Sequence, residues 1–217
     1  MLKVLYEDNH LIAVHKPAGM LVQGDASGDW CLMDEVKDYL KKKYEKKGRV
    51  FLGLLHRLDR PVEGVVLFAK TSKGASRLSE QIRNRETEKI YHALVCGMPE
   101  KKSGRLVHKL EKDTDRRRAR ESKTGDYAEL FYDVEKMGRK YSLVRIRLVT
   151  GKFHQIRTQF SSIGHPVAGD VKYGAPEAFS WGIALAATSL SFETATTHEP
   201  VTVSVPIPEE WKNLLKM

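Results

Sequence analysis

Between residues 91 and 150 the chain lays down four β-rich runs, YHALVCG, LVHKL, YAELFYDVEK and YSLVRIRLVT, with no helical stretch separating them. The last alternates Leu143, Arg145 and Arg147 against Val144, Ile146 and Leu148, the period-2 pattern of a strand with one polar face. Residues 2–6 and 11–15 alternate in the same way around Glu7-Asp8-Asn9-His10 and read as a hairpin. LGLL (52–55) and VVLFA (65–69) read as buried strands, and residues 183–193 and 201–205 as further strands. Helices are fewer. Leu32, Val36 and Leu40 form one stripe over residues 30–47, with Asp29 as N-cap and Gly48 as terminator. Ala75, Leu78 and Ile82 do the same over 72–84, capped by Ser72. Phe153, Ile156, Phe160 and Ile163 recur at helical spacing before Gly164, and Pro208-Glu209-Glu210-Trp211 reads as a short closing helix. Successive strands interrupted by three or four helices, without regular β-α-β alternation, predict an α+β fold with a largely antiparallel sheet.

The 217 residues contain no linker or low-complexity stretch, so a single domain over 1–217 is expected. No apolar run reaches the ~18 residues of a membrane span, and MLKVLYEDNHLIAVHK has no signal-peptide core, so a cytoplasmic chain without membrane association is expected. Cys31 and Cys96 fall in no CxxC or metal-ligand spacing and read as reduced packing residues, implying neither zinc nor a disulfide. GxxxxGK[ST], GxGxxG after a strand, HExxH and GxSxG are all missing, which removes the usual signals of nucleotide-fuelled, dinucleotide-dependent, zinc-peptidase and α/β-hydrolase chemistry. Lys plus Arg number 37 against 28 Asp plus Glu, a net +9 that favours a polyanionic partner, because cations that neutralise phosphates release counterions. The densest basic runs are residues 37–49, which look helical, and 112–123, where Arg116, Arg117, Arg118 and Arg120 read as a basic loop between strands.

Three places can carry chemistry. In LLHRLDRPVEGVVLFAK (54–70), Asp59 sits between apolar segments; it is either a reactive carboxylate with partners or a polar bend bonded to nearby amides, and the local sequence does not choose. His56 there fits a satisfied histidine at a strand end better than a catalyst. In LVTGKFHQIRTQFSSIGHPVAGDVKYG (148–174), His154, Gln155 and Arg157 gather near the first turn of a helix in a glycine-rich neighbourhood, and Arg157 is suited to hold a distant carboxylate bidentately. In KIYHALVCG (89–97), Tyr91 is a packed aromatic or a flat face for a nucleobase, and Lys89 a surface or phosphate contact.

Taken together, EDNHLIAVHKPAGMLV (7–22), HRLDRPVEGVVLFAK (56–70), KIYHALVCG, the 148–174 stretch, SLSF and VPIPEEW resemble the RluA family of RNA pseudouridine synthases nearly end to end. The resemblance implies the synthase α+β fold with an RNA cleft, and isomerisation of specific uridines in structured ribosomal or transfer RNA without metal or cofactor. It matches Asp59 to the essential aspartate, Tyr91 to the base-stacking tyrosine, Arg157 to the arginine that pairs with the aspartate, and Arg57 to an arginine associated with the flipped nucleotide. His56, Arg60, Lys89, His154 and Gln155 join Arg57 and the four arginines of the basic loop as expected RNA contacts. Two departures stand out: Val62-Glu63-Gly64 where the family commonly has Thr-Ser-Gly, and Gly151-Lys152-Phe153-His154 where it commonly has Gly-Arg-Thr-His. The chain begins at the catalytic domain, so no S4-like RNA-binding domain is expected, and a monomer is expected. A catalytically idle RNA-binding or ribosome-assembly factor on the same fold is the alternative. A glycoside hydrolase is weaker, since neither Glu63 nor Asp170 is evidently placed as its second carboxylate.

Overall fold

The structure, a computed structural model, describes residues 2–216. In chain order the elements are β1 (Lys3–Glu7), β2 (Leu11–Lys16), α1 (Leu32–Lys43), β3 (Gly53–Leu54), β4 (Glu63–Ala69), α2 (Ser72–Asn84), β5 (Glu88–Cys96), β6 (Ser103–Asp113), β7 (Arg118–Glu121), β8 (Asp126–Met137), β9 (Tyr141–Leu148), α3 (Gln155–Ser162), a 3-10 turn at Val171–Tyr173, β10 (Leu185–Glu193), β11 (Pro200–Ser204) and α4 (Glu210–Leu214). Every pairing with a described register is antiparallel, as an α+β chain of successive strands requires. The chain forms two compact units, Met1–Thr87 with Ser189–Val205, and Glu88–Thr188 with Pro206–Met217. Among the described residues no helix is long and apolar enough to cross a membrane.

The first unit orders its strands β1-β2-β4-β10, with β3 on β4 and β11 on β10. Asp8 makes the opening hairpin: its Oδ1 accepts the backbone N–H groups of His10 and Leu11 at 2.7 and 2.6 Å. Alternate residues of β2 and β4, namely Leu11, Ala13, Val65, Leu67 and Ala69, form a core with Leu78 of α2 and with Leu190, Phe192 and Val203. Burying each large member contributes about 1.5–3 kcal/mol. The register sets Leu11 opposite Ala69 and Lys16 opposite Gly64, so Lys16 ends up at the entry to β4. Two helix starts differ from expectation. Thr71, not Ser72, caps α2, its Oγ1 accepting from Gly74 N at 3.1 Å. Cys31, not Asp29, precedes α1, where the Asp34 carboxylate accepts from Cys31 N; Asp29 instead pairs with Arg60 at 2.9 Å. α1 also closes at Tyr44, ahead of Gly48. LGLL, expected as a buried strand, supplies only the two half-buried strand residues Gly53 and Leu54.

The second unit orders its strands β10-β5-β9-β8-β6-β7. Tyr91 lies opposite Ile146, which lies opposite Tyr132, so these three share a face. α3 packs on that face: Phe160 meets the Tyr132 ring edge-on at 5.5 Å, and Gln159 Nε2 donates to the carbonyls of Leu106 and Ala128 at 3.1 and 3.3 Å. The basic run expected as a loop is instead a hairpin, β6 running to Asp113 and β7 starting at Arg118, around a turn in which Asp113 accepts from Arg116 N and Arg117 takes φ 47°. A second core gathers Leu94, Tyr141, Leu143, Ala168, Ala184 and Ala186 around Trp211 of α4.

Candidate active site

In the first unit the loop from β3 to β4 carries His56, Arg57, Asp59 and Arg60. It closes in a turn in which Val62 N donates to the Asp59 carbonyl at 3.0 Å, so the bend foreseen at Leu-Asp-Arg-Pro is present and holds a half-buried Asp59 on it. Under the turn lies Lys16, fully buried, whose Nζ donates to the carbonyls of Pro17 (3.0 Å), Met20 (2.7 Å) and Arg60 (3.1 Å). Burial pushes the Lys16 ammonium down to about 8, and the Asp59 and Glu63 carboxylates pull it upward. At neutral pH it is therefore charged, a fixed cation for the Asp59 loop. Sequence reasoning missed it, because Lys16-Pro17 reads as the polar start of a turn. The signal was a lysine two residues past the wholly apolar run LIAV, at the end of the same strand.

Arg60 is occupied by the same loops: its Nε donates to the Gly19 carbonyl at 3.0 Å and its own carbonyl accepts from Gly19 N at 2.8 Å, with Gly19 at φ 83°. His56 Nε2 accepts from Leu67 N at 3.0 Å and anchors the loop to β4. Arg57 is exposed. Of the Val62-Glu63 departure, Val62 is a core residue and Glu63 faces His15 at 3.6 Å.

In the second unit Arg157 and Asp170, both nearly sealed from solvent, form a bidentate pair at 2.6 and 2.9 Å. The guanidinium also stands 4.9 Å from the centroid of the Tyr173 ring. Asp170 thus fixes the arginine's plane, and its place 13 residues along the chain follows no periodicity a sequence could show. Tyr173 joins the parts: its hydroxyl accepts from Ala119 N of β7 at 2.7 Å and bonds His154 Nδ1 at 2.8 Å. His154 adopts left-handed backbone, φ 50°, just ahead of α3, so the helix starts at Gln155, two residues later than the spacing of Phe153 would start it. Burial, and then the Arg157 charge, hold its imidazole down to about 3, so it is neutral at physiological pH.

Gln155 is a strut. Its Oε1 accepts from Thr150 Oγ1 and Lys152 N, while its Nε2 donates to the Glu129 carbonyl and to Gln159 Oε1. That buried network shapes the turn leading to Arg157. Tyr91 is buried on β5 and shares a strand face with Lys89. Burial holds the Lys89 ammonium below the usual lysine range, and its Nζ lies 3.9 Å from where a side chain on Gly151 would begin. Arg116, Arg117 and Arg120 of the hairpin are exposed; Arg118 is half-buried, and its Nε has no hydrogen-bond partner among the described residues.

Residues 10–162 match the family model for RNA pseudouridylate synthase. The chain belongs to that family. This synthase is 34% identical over 222 residues to the dual-specificity RNA pseudouridine synthase RluA of Vibrio cholerae, spanning 98% of this chain and 87% of that one. It is 30% identical over 236 residues to tRNA pseudouridine synthase C of the same organism, spanning 99% and 95%, and 31% identical to an uncharacterized RNA pseudouridine synthase of Chlorobaculum parvum, spanning 98% and 73%. These relatives place it in the RluA family, as an isomerase acting on RNA. The solved human RNA pseudouridylate synthase domain containing 4 shares its fold, with a TM-score of 0.81 over 97% of this chain and 90% of that one at 24% identity.

Proposed function

We propose that this synthase converts uridines of transfer or ribosomal RNA to pseudouridine as a cytoplasmic monomer, with Asp59 acting at the ribose, Tyr91 on the base and Arg157 as the cationic partner of the reaction. One observation carries the assignment of Asp59: the HRLDR turn of a family member is held over a sealed, charged lysine. The lysine attracts the Asp59 carboxylate and, through the Arg60 carbonyl, holds the loop that carries it.

The target uridine is flipped out of its stack, at a cost of a few kcal/mol that is smallest in a loop. Its uracil stacks on Tyr91 while Arg57 and the hairpin arginines hold the backbone. Asp59 then works either as a nucleophile on C1′ or as a base at C2′ leading to a glycal, and the C1′–N1 bond breaks. The uracil turns and C1′ bonds to C5. The C5 proton leaves, with Tyr91 assisting, and N1 ends protonated, so no atom is gained or lost. Arg157, its plane set by Asp170, is a permanent cation that does not compete for protons in the reaction.

Nucleoside analysis of unmodified transfer RNA and ribosomal RNA transcripts after incubation tests this. The expected result is pseudouridine in at least one pool, matched by lost uridine and without free uracil. Free uracil would indicate hydrolysis, and unchanged uridine in both pools would leave an RNA-binding factor.

A further inference from the structure

Phe153 occupies the departure from the common family motif, and it lies outside the helix stripe to which its spacing assigns it. It is 38% exposed. Its ring stacks on His154 at 3.8 Å and 19°, and His154 is in turn held through Nδ1 by the Tyr173 hydroxyl. The aromatic surface is therefore set in place beforehand and not free to collapse onto the protein. Cations surround it. The Lys112 ammonium stands 5.1 Å from the Phe153 centroid. The hairpin that carries Lys112 is tied to the same neighbourhood by Ala119 N on Tyr173 and by Lys172 Nζ on the Arg117 carbonyl at 3.1 Å. Its tip adds Arg116 and Arg117, and β7 adds Arg120.

A fixed apolar ring beside long-stemmed cations calls for a ligand with a flat unsaturated face and anionic groups close by. Unstacked RNA has both, in its bases and its phosphates. We propose that the Phe153–His154 pair seats a second nucleobase of the substrate RNA, a neighbour of the uridine that reacts, with Lys112 and the β6–β7 hairpin on the adjoining phosphates. The base takes the position over the ring that Lys112 now holds, and the long lysine stem lets its ammonium follow the phosphate. A purine, with the larger face, is preferred there over a pyrimidine. This inference rests on the RNA-isomerase reading of the site and assigns to it a determinant of sequence context.

The test is the Kd for unmodified transfer RNA transcripts, by anisotropy at near-physiological salt, for wild type and for F153A, F153L, F153Y and F153W. Loss of one stacked base raises Kd about tenfold. F153A and F153L are expected to show that loss, F153Y and F153W to stay within about twofold of wild type, and F153W to show emission quenching by RNA beyond that of wild type. Leucine keeps the apolar bulk without the π face. F153L binding as tightly as F153W, or F153A binding like wild type, overturns the proposal; should F153A fail to fold, the leucine–tryptophan comparison still decides. Nucleoside analysis of wild-type reactions stands apart: pseudouridine formation with a flat Kd series removes the stacking site alone, whereas no product with the aromatic pattern intact removes the synthase reading.

Discussion

The Arg157–Asp170 pair allows a quantitative test of how the arginine is held. Both side chains are almost fully buried, 6% and 2% exposed, and two charged hydrogen bonds join them. Unit charges about 4 Å apart at an effective dielectric near 20 attract by about 4 kcal/mol. Removing one member of such a pair costs about 3–5 kcal/mol, because the other charge stays buried. In Asp170→Asn the amide oxygen still accepts one hydrogen bond, returning about 1 kcal/mol, so a net loss of about 3 kcal/mol is expected. For a chain of this length that lowers Tm by about 6–12 °C. Asp170→Asn is also expected to lower the rate constant for isomerisation, since the guanidinium loses the partner that sets its plane. Thermal unfolding by circular dichroism and tritium release from C5-labelled RNA read the two effects. The double replacement Arg157→Met with Asp170→Leu separates them: stability returns, because a buried pair exchanged for apolar residues is often neutral, but catalysis does not. A Tm within about 2 °C of wild type for Asp170→Asn, with unchanged turnover, would refute the positioning role.

Lys16 predicts opposite pH trends for stability and activity. Its value falls from 10.5 in solution to about 8 in the fold, so between those values the unfolded chain binds the extra proton and stability rises with pH. Below about pH 8 the buried charge costs about 3 kcal/mol, which urea midpoints at about pH 7 and about pH 10 would reveal. Activity moves the other way, falling as pH climbs through about 8 and Asp59 loses its cation; a rate flat from about pH 7 to 9 would contradict the coupling. Substituting Arg116, Arg117, Arg118 and Arg120 by Gln is expected to flatten the dependence of log Kobs on log salt by about 0.7 for each phosphate no longer neutralised. An unchanged slope would leave that hairpin a solvated surface.

Legibility in the sequence followed the presence of a one-sided apolar pattern. α2 was read with its full extent because Leu78 and its neighbours form a stripe against the polar remainder, and β9 because Val144 and Ile146 are buried while Arg147 is exposed. Of the β6–β7 hairpin the LVHKL run was read as a strand, but its extension to Asp113 and β7 escaped because they carry charge where a strand usually carries alternating apolar residues. Phe153 fitted the helix stripe by spacing alone; the left-handed His154 delays the helix and leaves the ring outside it. At the candidate site, Asp59, Tyr91 and Arg157 stand out as candidates because each sits in a linear motif. Lys16 and Asp170 do not, since what marks them is burial beside a partner brought close by folding.

Parallel tritium-release assays of wild type and Asp59→Asn on C5-labelled transfer and ribosomal RNA, with RNA affinity measured for both proteins, test the central claim most directly. Wild type is expected to release tritium from at least one pool, and Asp59→Asn to bind that RNA about as tightly while releasing none. Release by Asp59→Asn at a rate near that of wild type would contradict the assignment of Asp59.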